Sequence, residues 1–218
     1  MPRRRVAILI SGRGTNMTAL IEAAKDPAFP AEIALVLSNR ADAAGLFHAR
    51  ENGNETAVVN HREHASRESF DLALDARLKA TGIDLVCLAG FMRLLTNDFV
   101  EAWRDRMINI HPSLLPLFPG LDTHAKALGA GMKLHGCTVH FVRSAVDSGP
   151  IIAQAVVPVL AGDTPDTLAA RVLTAEHRIY PLALGLVAGG KVHVVDEKAV
   201  IDAPGPESEG FLVAPVYR

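Results

Sequence analysis

Continuous apolar runs alternate with helix-period segments along the first half of this chain, and that alternation restricts the fold more than any other feature. Arg5 to Ile10, Ile33 to Leu37, Thr56 to Val59, Asp84 to Leu88 and Met107 to Ile110 read as strands. Between them, Asn16 to Lys25, Ala43 to Asn52, Phe70 to Ala80, and a segment capped by Thr96 and ending at Trp103 read as helices. Met17, Leu20, Ile21 and Ala24 share one face of the first helix, and Leu72, Leu74 and Leu78 are available for burial on the third. Strands that are apolar throughout are covered on both faces, which means a parallel sheet between two layers of helix.

The second half changes character. Gly136 to Arg143 and Ile151 to Val159 are longer strands separated by a short turn with Asp147, Ser148, Gly149 and Pro150, so the sheet gains antiparallel members. Thr164-Pro165 is a strong helix start, and that helix reaches about Leu186 with a disturbance expected at Pro181. Lys191 to Val195 reads as a last strand. The expected fold is therefore α/β: a mostly parallel sheet with helices on both faces and antiparallel strands in the C-terminal half. Residues 1–201 are expected to form a single domain, and 202–218, rich in Pro, Gly and acids, an irregular tail.

Composition narrows the partners. A formal net charge of -2 carries no basic footprint for nucleic acid. The apolar run Val6 to Ile10 behind the basic N-terminus is too short for a signal sequence or a membrane span. Cys87 and Cys137 sit far apart in apolar segments and read as buried, reduced thiols. These features fit a cytoplasmic protein acting on small molecules, without a membrane or nucleic-acid partner.

Three stretches can carry chemistry. Ser11-Gly12-Arg13-Gly14-Thr15-Asn16 lies between the first strand and the first helix, where backbone N–H groups and a helix N-terminus can hold a phosphate. The alternative is a tight turn without a ligand. It is neither a dinucleotide fingerprint, whose third glycine would fall at Met17, nor a P-loop. Gly90-Phe91-Met92-Arg93-Leu94-Leu95 follows a strand end and suits either a flat-ring pocket or a core turn. Asn109 and His111 are two apart at a strand end, so they point to one side. Pro112, Pro116, Pro119 and Gly120 then shape the following loop. An amide donor beside an imidazole suits oxyanion stabilisation and proton transfer, whereas Asp147 can equally be an ordinary turn former. No metal is expected: His135 and His140 are five apart in a strand and should face opposite ways, and no His-Glu-x-x-His or paired-Cys motif is present.

Together these motifs resemble the phosphoribosylglycinamide formyltransferase family, folate-dependent enzymes of de novo purine synthesis. The matching segments are Ser11 to Asn16, Leu88 to Arg93, Asn109 to Pro116, Pro119-Gly120, His140-Phe141-Val142, Asp147 to Ile152 and Glu176 to Pro181, in family order. The resemblance implies a Rossmann-like sheet, with a phosphate site in the N-terminal half and a folate and catalytic region in the C-terminal half. It implies Asn109, His111 and Asp147 as the catalytic trio. Gly12, Arg13, Gly14, Thr15, Asn16 and Pro112, with Leu173, Thr174, Ala175 and Glu176, would contact the ribonucleotide. Arg67, Met92, Arg93, Leu94 and Leu95, together with Asn109, Arg143, Ser144, Ala145, Val146 and Asp147, would bound the folate. Arg13 stands where relatives vary, and Thr15 keeps the hydroxyl of a serine often found there. The co-substrate implied is 10-formyltetrahydrofolate, without a metal, in a monomer or homodimer.

Formyl transfer to an amine passes through a tetrahedral carbon bearing a negative oxygen. Asn109 and a charged His111 are the expected donors, with the Asp147 carboxylate favouring the imidazolium and helping to pass a proton. Other formyl-folate enzymes are alternatives. A transferase acting on methionyl-tRNA would be expected to carry an extra C-terminal domain, and a formyltetrahydrofolate hydrolase an extra N-terminal one. An NADP-dependent oxidoreductase would place Arg40 on a 2′-phosphate, and a sugar-phosphate sensor would keep the Gly12 to Asn16 turn alone.

Overall fold

The computed structural model describes residues 2–202. Strand β1 (Arg4–Ile10) leads to helix α1 (Thr15–Ala24), β2 (Ala31–Ser38), α2 (Ala44–Glu51), β3 (Thr56–Val58), a single 3-10 turn (His61–Glu63), α3 (Arg67–Ala80), β4 (Leu85–Leu88), α4 (Asn97–Ala102) and β5 (Met107–His111). The second half adds α5 (Thr123–Gly129), β6 (Leu134–Phe141), β7 (Ile151–Pro158), α6 (Pro165–Ala188), β8 (Val192–Val195) and β9 (Lys198–Ile201). Seven strands form one sheet in the order β3-β2-β1-β4-β5-β6-β7. β1 to β5 are parallel, β6 is antiparallel to β5, and β7 is antiparallel to β6.

β1 is central and buried on both faces, as its unbroken apolar run requires. Val6, Ile8 and Ile10 pack in the layer of α1, α2 and α6, whereas Ala7 and Leu9 pack in the layer of α3 and α4. The apolar face of α3 is Phe70, Leu74 and Leu78. Leu72, expected to be available for burial, is instead 71% exposed, because a two-residue step turns it about 200° around the helix, away from that face. α6 starts with the capping box of Thr164 and Thr167 and runs unbroken through Pro181. Its Tyr180 hydroxyl donates to the Leu88 carbonyl (2.9 Å), tying the helix to the end of β4.

The strand read at Lys191 to Val195 exists as β8, but it pairs only with β9, in a separate hairpin. Helix α5 and strand β9 are additions to the sequence reading. No helix among the described residues is long and apolar enough to cross a membrane. Both cysteines are buried free thiols. The expected tail lies, from residue 203 onward, outside the described residues.

The sheet order has one functional consequence. From β1 the chain builds outward through β2 and β3 on one side, then through β4 and β5 on the other. Loops leaving the carboxyl ends of β1 and β4 therefore diverge, and a crevice opens between them.

Candidate active site

The first wall of the crevice is the turn from β1 into α1. Gly14 sits at the helix N-cap with φ 75°, and no side chain caps the helix. A Cβ on Gly14 would lie 3.1 Å from the Gly45 Cα, so α2 packs directly on this turn. Gly45 N–H donates to the Gly12 carbonyl (2.9 Å), which holds the turn in place. The first amides of α1 thus lack intrahelical partners and open towards solvent, the arrangement that binds an anion. A cavity of about 480 Å³ lies here, lined by Ser11 to Asn16, Arg40, Arg62, Met92 and Arg93. Arg40 is held by Asp42 through two hydrogen bonds (3.0 and 2.7 Å). Arg13, Arg62 and Arg93 make no ion pair among the described residues.

Two side-chain bonds connect this turn to distant parts of the chain. Ser11 Oγ donates to Asn39 Oδ1 (2.6 Å) and accepts from Met92 N–H (2.8 Å), so the turn and the Gly90 to Leu95 segment share one hydroxyl. Asn16 Nδ2 donates to Glu176 Oε2 on α6 (2.7 Å). Burial raises the Glu176 carboxyl above its ordinary value, and the Asn16 bond partly opposes that. Of the four α6 residues expected at the ribonucleotide, Glu176 thereby reaches the crevice. Thr174 and Ala175 line a different groove, against β7. Leu173 is half-buried on the same helix.

The second wall is the end of β5. Asn109 and His111 project to the same side, as their spacing required, and His111 is 5% exposed. Its Nδ1 lies 3.3 Å from Asp147 Oδ2, and its Nε2 lies 3.0 Å from the Phe118 carbonyl. Asp147 comes from the turn between β6 and β7, and its Oδ2 also accepts from Gly120 N–H (2.8 Å). His111 and Asp147 therefore meet, and Asn109 lines the same cavity as Asp147. Across the ladder, β6 places His140 directly opposite Asn109. Asn109 Nδ2 lies 3.2 Å from His140 Nε2. The sequence gives His140 no role beside Asn109, because that partnership depends on strand register.

His135 and His140 have different neighbours. His135 stacks edge-on with His124 at a centroid distance of 5.2 Å, and its Nε2 has no hydrogen-bond partner among the described residues. Burial, then the neighbouring His124, pushes the His135 imidazole down to about 4. Burial also lowers His124 and His140. Among the described residues no group of three or more His, Cys, Asp or Glu side chains is arranged to hold a metal ion.

Beside the second wall lies a second, smaller cavity of about 140 Å³. Leu88, Phe91, Leu95, Val100 and Val142 give it an apolar side, and Asn109, His140 and Asp147 a polar end. Arg93, Leu94, Arg143, Ser144 and Val146 complete it. Met92 lines the first cavity instead, and Arg93 lines both. Arg67 is exposed at the first residue of α3 and lines neither. Ala145 is exposed beside the second cavity. The Arg143 head is committed to Asp105 (2.7 Å) and Glu197 (2.6 Å), so it braces the loop against the β8–β9 hairpin.

Residues 4–184 match the family model described as formyl transferase. The chain is 43% identical over 206 residues to the phosphoribosylglycinamide formyltransferase of Escherichia coli, covering 94% of this chain and 97% of that one. The chain belongs to the phosphoribosylglycinamide formyltransferase family. Among solved structures, glycinamide ribonucleotide transformylase 1 from Symbiobacterium toebii superposes with a TM-score of 0.90 at 48% identity, covering 92% of this chain and 94% of that chain. The enzyme from Brucella melitensis gives 0.83 at 56% identity, covering 88% and 100%. The human trifunctional purine biosynthetic protein adenosine-3 is 51% identical over 192 residues, or 88% of this chain, which spans only 19% of that longer protein.

Proposed function

We propose that this protein transfers the formyl group of 10-formyltetrahydrofolate to the amine of glycinamide ribonucleotide, giving formylglycinamide ribonucleotide and tetrahydrofolate in de novo purine synthesis. The observation that carries this reading is the His111–Asp147 pair beside Asn109 at the polar end of a partly apolar slot, with Arg93 lining both that slot and the cavity at the glycine turn. The substrate phosphate sits at Gly12 to Asn16, with Glu176 near the ribose. The folate ring enters the slot beside Leu88, Leu95 and Val142, so that its formyl group meets the amine at the end of β5.

The formyl group is a poor electrophile, and attack puts negative charge on its oxygen. Asn109 and His111 supply N–H donors to that oxygen. The His111 ring has an acceptor at each nitrogen, a carboxylate at Nδ1 and a carbonyl at Nε2. The imidazolium, with a proton on both, satisfies the two together. The formyl oxygen must share or displace the Phe118 carbonyl to receive the Nε2 proton. Asp147 stabilises the charged ring and, directly or through water, passes a proton from the attacking amine towards the leaving folate nitrogen.

An assay with 10-formyltetrahydrofolate, with and without glycinamide ribonucleotide, tests the reading. Formyl transfer that requires the amine is expected. Formate release indifferent to it would assign a hydrolase, and no reaction with either would overturn the proposal. Asp147→Asn and His111→Ala are each expected to lower kcat by about 100-fold or more, the scale for losing oriented charge or one oxyanion donor. Near wild-type turnover in both variants would refute the assigned roles.

A further inference from the structure

We infer that His140 is a positioning residue that fixes which end of the Asn109 side-chain amide faces the reacting carbonyl. This rests on the transferase reading above. Asn109 can stabilise an oxyanion only if its NH₂, not its oxygen, is presented. Rotating the amide by 180° costs little unless a neighbour distinguishes the two ends.

His140 makes that distinction. Its Nδ1 lies 2.9 Å from the Phe141 carbonyl, which can only accept, so Nδ1 carries a proton. The side chain is 3% exposed, and burial opposes a second proton. Nε2 is therefore a bare acceptor, and the Asn109 atom 3.2 Å away must be the donating nitrogen. One amide hydrogen is spent on His140, and the other is left to point into the slot. The antiparallel register enforces this, since Asn109 and His140 are directly opposed across β5 and β6.

The charged neighbours are Asp147, whose Oδ1 lies 3.8 Å from His140 Nε2, and His111. A protonated His140 would turn its Nε2–H to Asp147 and present a donor to the Asn109 NH₂. The two histidines thus differ in surroundings: both His111 ring nitrogens face acceptors, whereas His140 offers Nε2 as an acceptor itself.

Ring-¹⁵N spectra of the wild-type protein near pH 7, without substrate, test the premise independently of any activity. A protonated Nδ1 and a bare Nε2 are expected at His140; a protonated Nε2 would overturn the proposal. Turnover separates the rest. His140→Leu is expected to lower kcat about 30- to 100-fold while KM changes less than about 2-fold, as for loss of one oriented donor. His140→Gln, which offers an amide oxygen as acceptor, should recover about 10-fold of that loss. In an Asn109→Ala background, His140→Leu should cost less than about 2-fold, because its effect runs through Asn109. Equal losses in Leu and Gln variants that melt like wild type, or a fully multiplicative double mutant, would refute the role. Failure of wild-type transfer would instead remove the parent reading and leave the tautomer measurement standing.

Discussion

Asp147 takes a backbone φ of 51°, a left-handed conformation that few residues other than Gly, Asn and Asp adopt readily. That conformation explains why its sequence context resembled an ordinary turn: it is one. The turn also aims the carboxylate at His111 and Gly120 N–H, contacts that no spacing along the chain encodes. The cysteines show the opposite case, where local sequence sufficed. Apolar neighbours on both sides indicated burial, and burial pushes both thiols up to about 12. At pH 7 about one part in 10⁵ is thiolate, so neither should react with a disulfide reagent while the protein is folded. Thiol titration should find both only after denaturation, and rapid labelling of the native protein would contradict this.

Among the elements, those marked by an apolar run, a helical period or a cap were legible. β1 to β7, α1 to α4 and α6 stand within a few residues of their sequence-based positions because each combines an apolar pattern with a stop signal. Helix α5, Thr123–Gly129, has no side-chain N-cap bond, whereas the still shorter α4 is marked by its Thr96 cap. The β8–β9 hairpin turns through Asp196 and Glu197 at φ 46° and 55°, where Asn-Gly is the usual signal. Leu72 shows a limit of reading composition within a helix: being apolar did not place it on the buried face. Gly149 makes an element-scale prediction. Its Cα faces the Phe141 carbonyl so closely that a Cβ would lie 1.8 Å from that oxygen. Gly149→Ala must push the Asp147 turn off β6. It should cost about 1–3 kcal/mol in stability, in the range of overpacking, and lower turnover with it. Denaturant melts and kcat check this; an Ala variant with both unchanged would show that the close approach is not needed.

The molecule as a whole carries buried neutral histidines, and these set a pH window for stability. His135 is held down at about 4 in the fold, against 6.5 for a free imidazole. The unfolded chain therefore takes up the proton first as pH falls. Stability is full above about 6.5, declines towards 4, and is no longer lowered by this group below that, a loss of about 3 kcal/mol at most. His124 and His140 shift in the same direction and add to the slope. Asp163, lowered by its hydrogen bonds to Arg171, acts in the same sense, but only from the ordinary carboxylate range downward. Urea melts at pH 7.5 and 4.5 should show the decline, and His135→Asn should flatten it. An equal fall in variant and wild type would assign the effect elsewhere.

The alternation of apolar runs, the glycine turn after β1 and the Asn-x-His spacing determined the sheet, its crevice and the side to which Asn109 and His111 point. Those properties follow from periodicity and local backbone geometry, which neighbouring residues set among themselves. The tertiary structure alone decided that Asp147 reaches His111, that Glu176 reaches Asn16 across 160 residues, and that His140 faces Asn109. Each of these pairings comes from register or packing between segments far apart in the chain. A hydrogen bond between such residues depends on where the folded layers put them, and periodicity within either segment carries no record of the other.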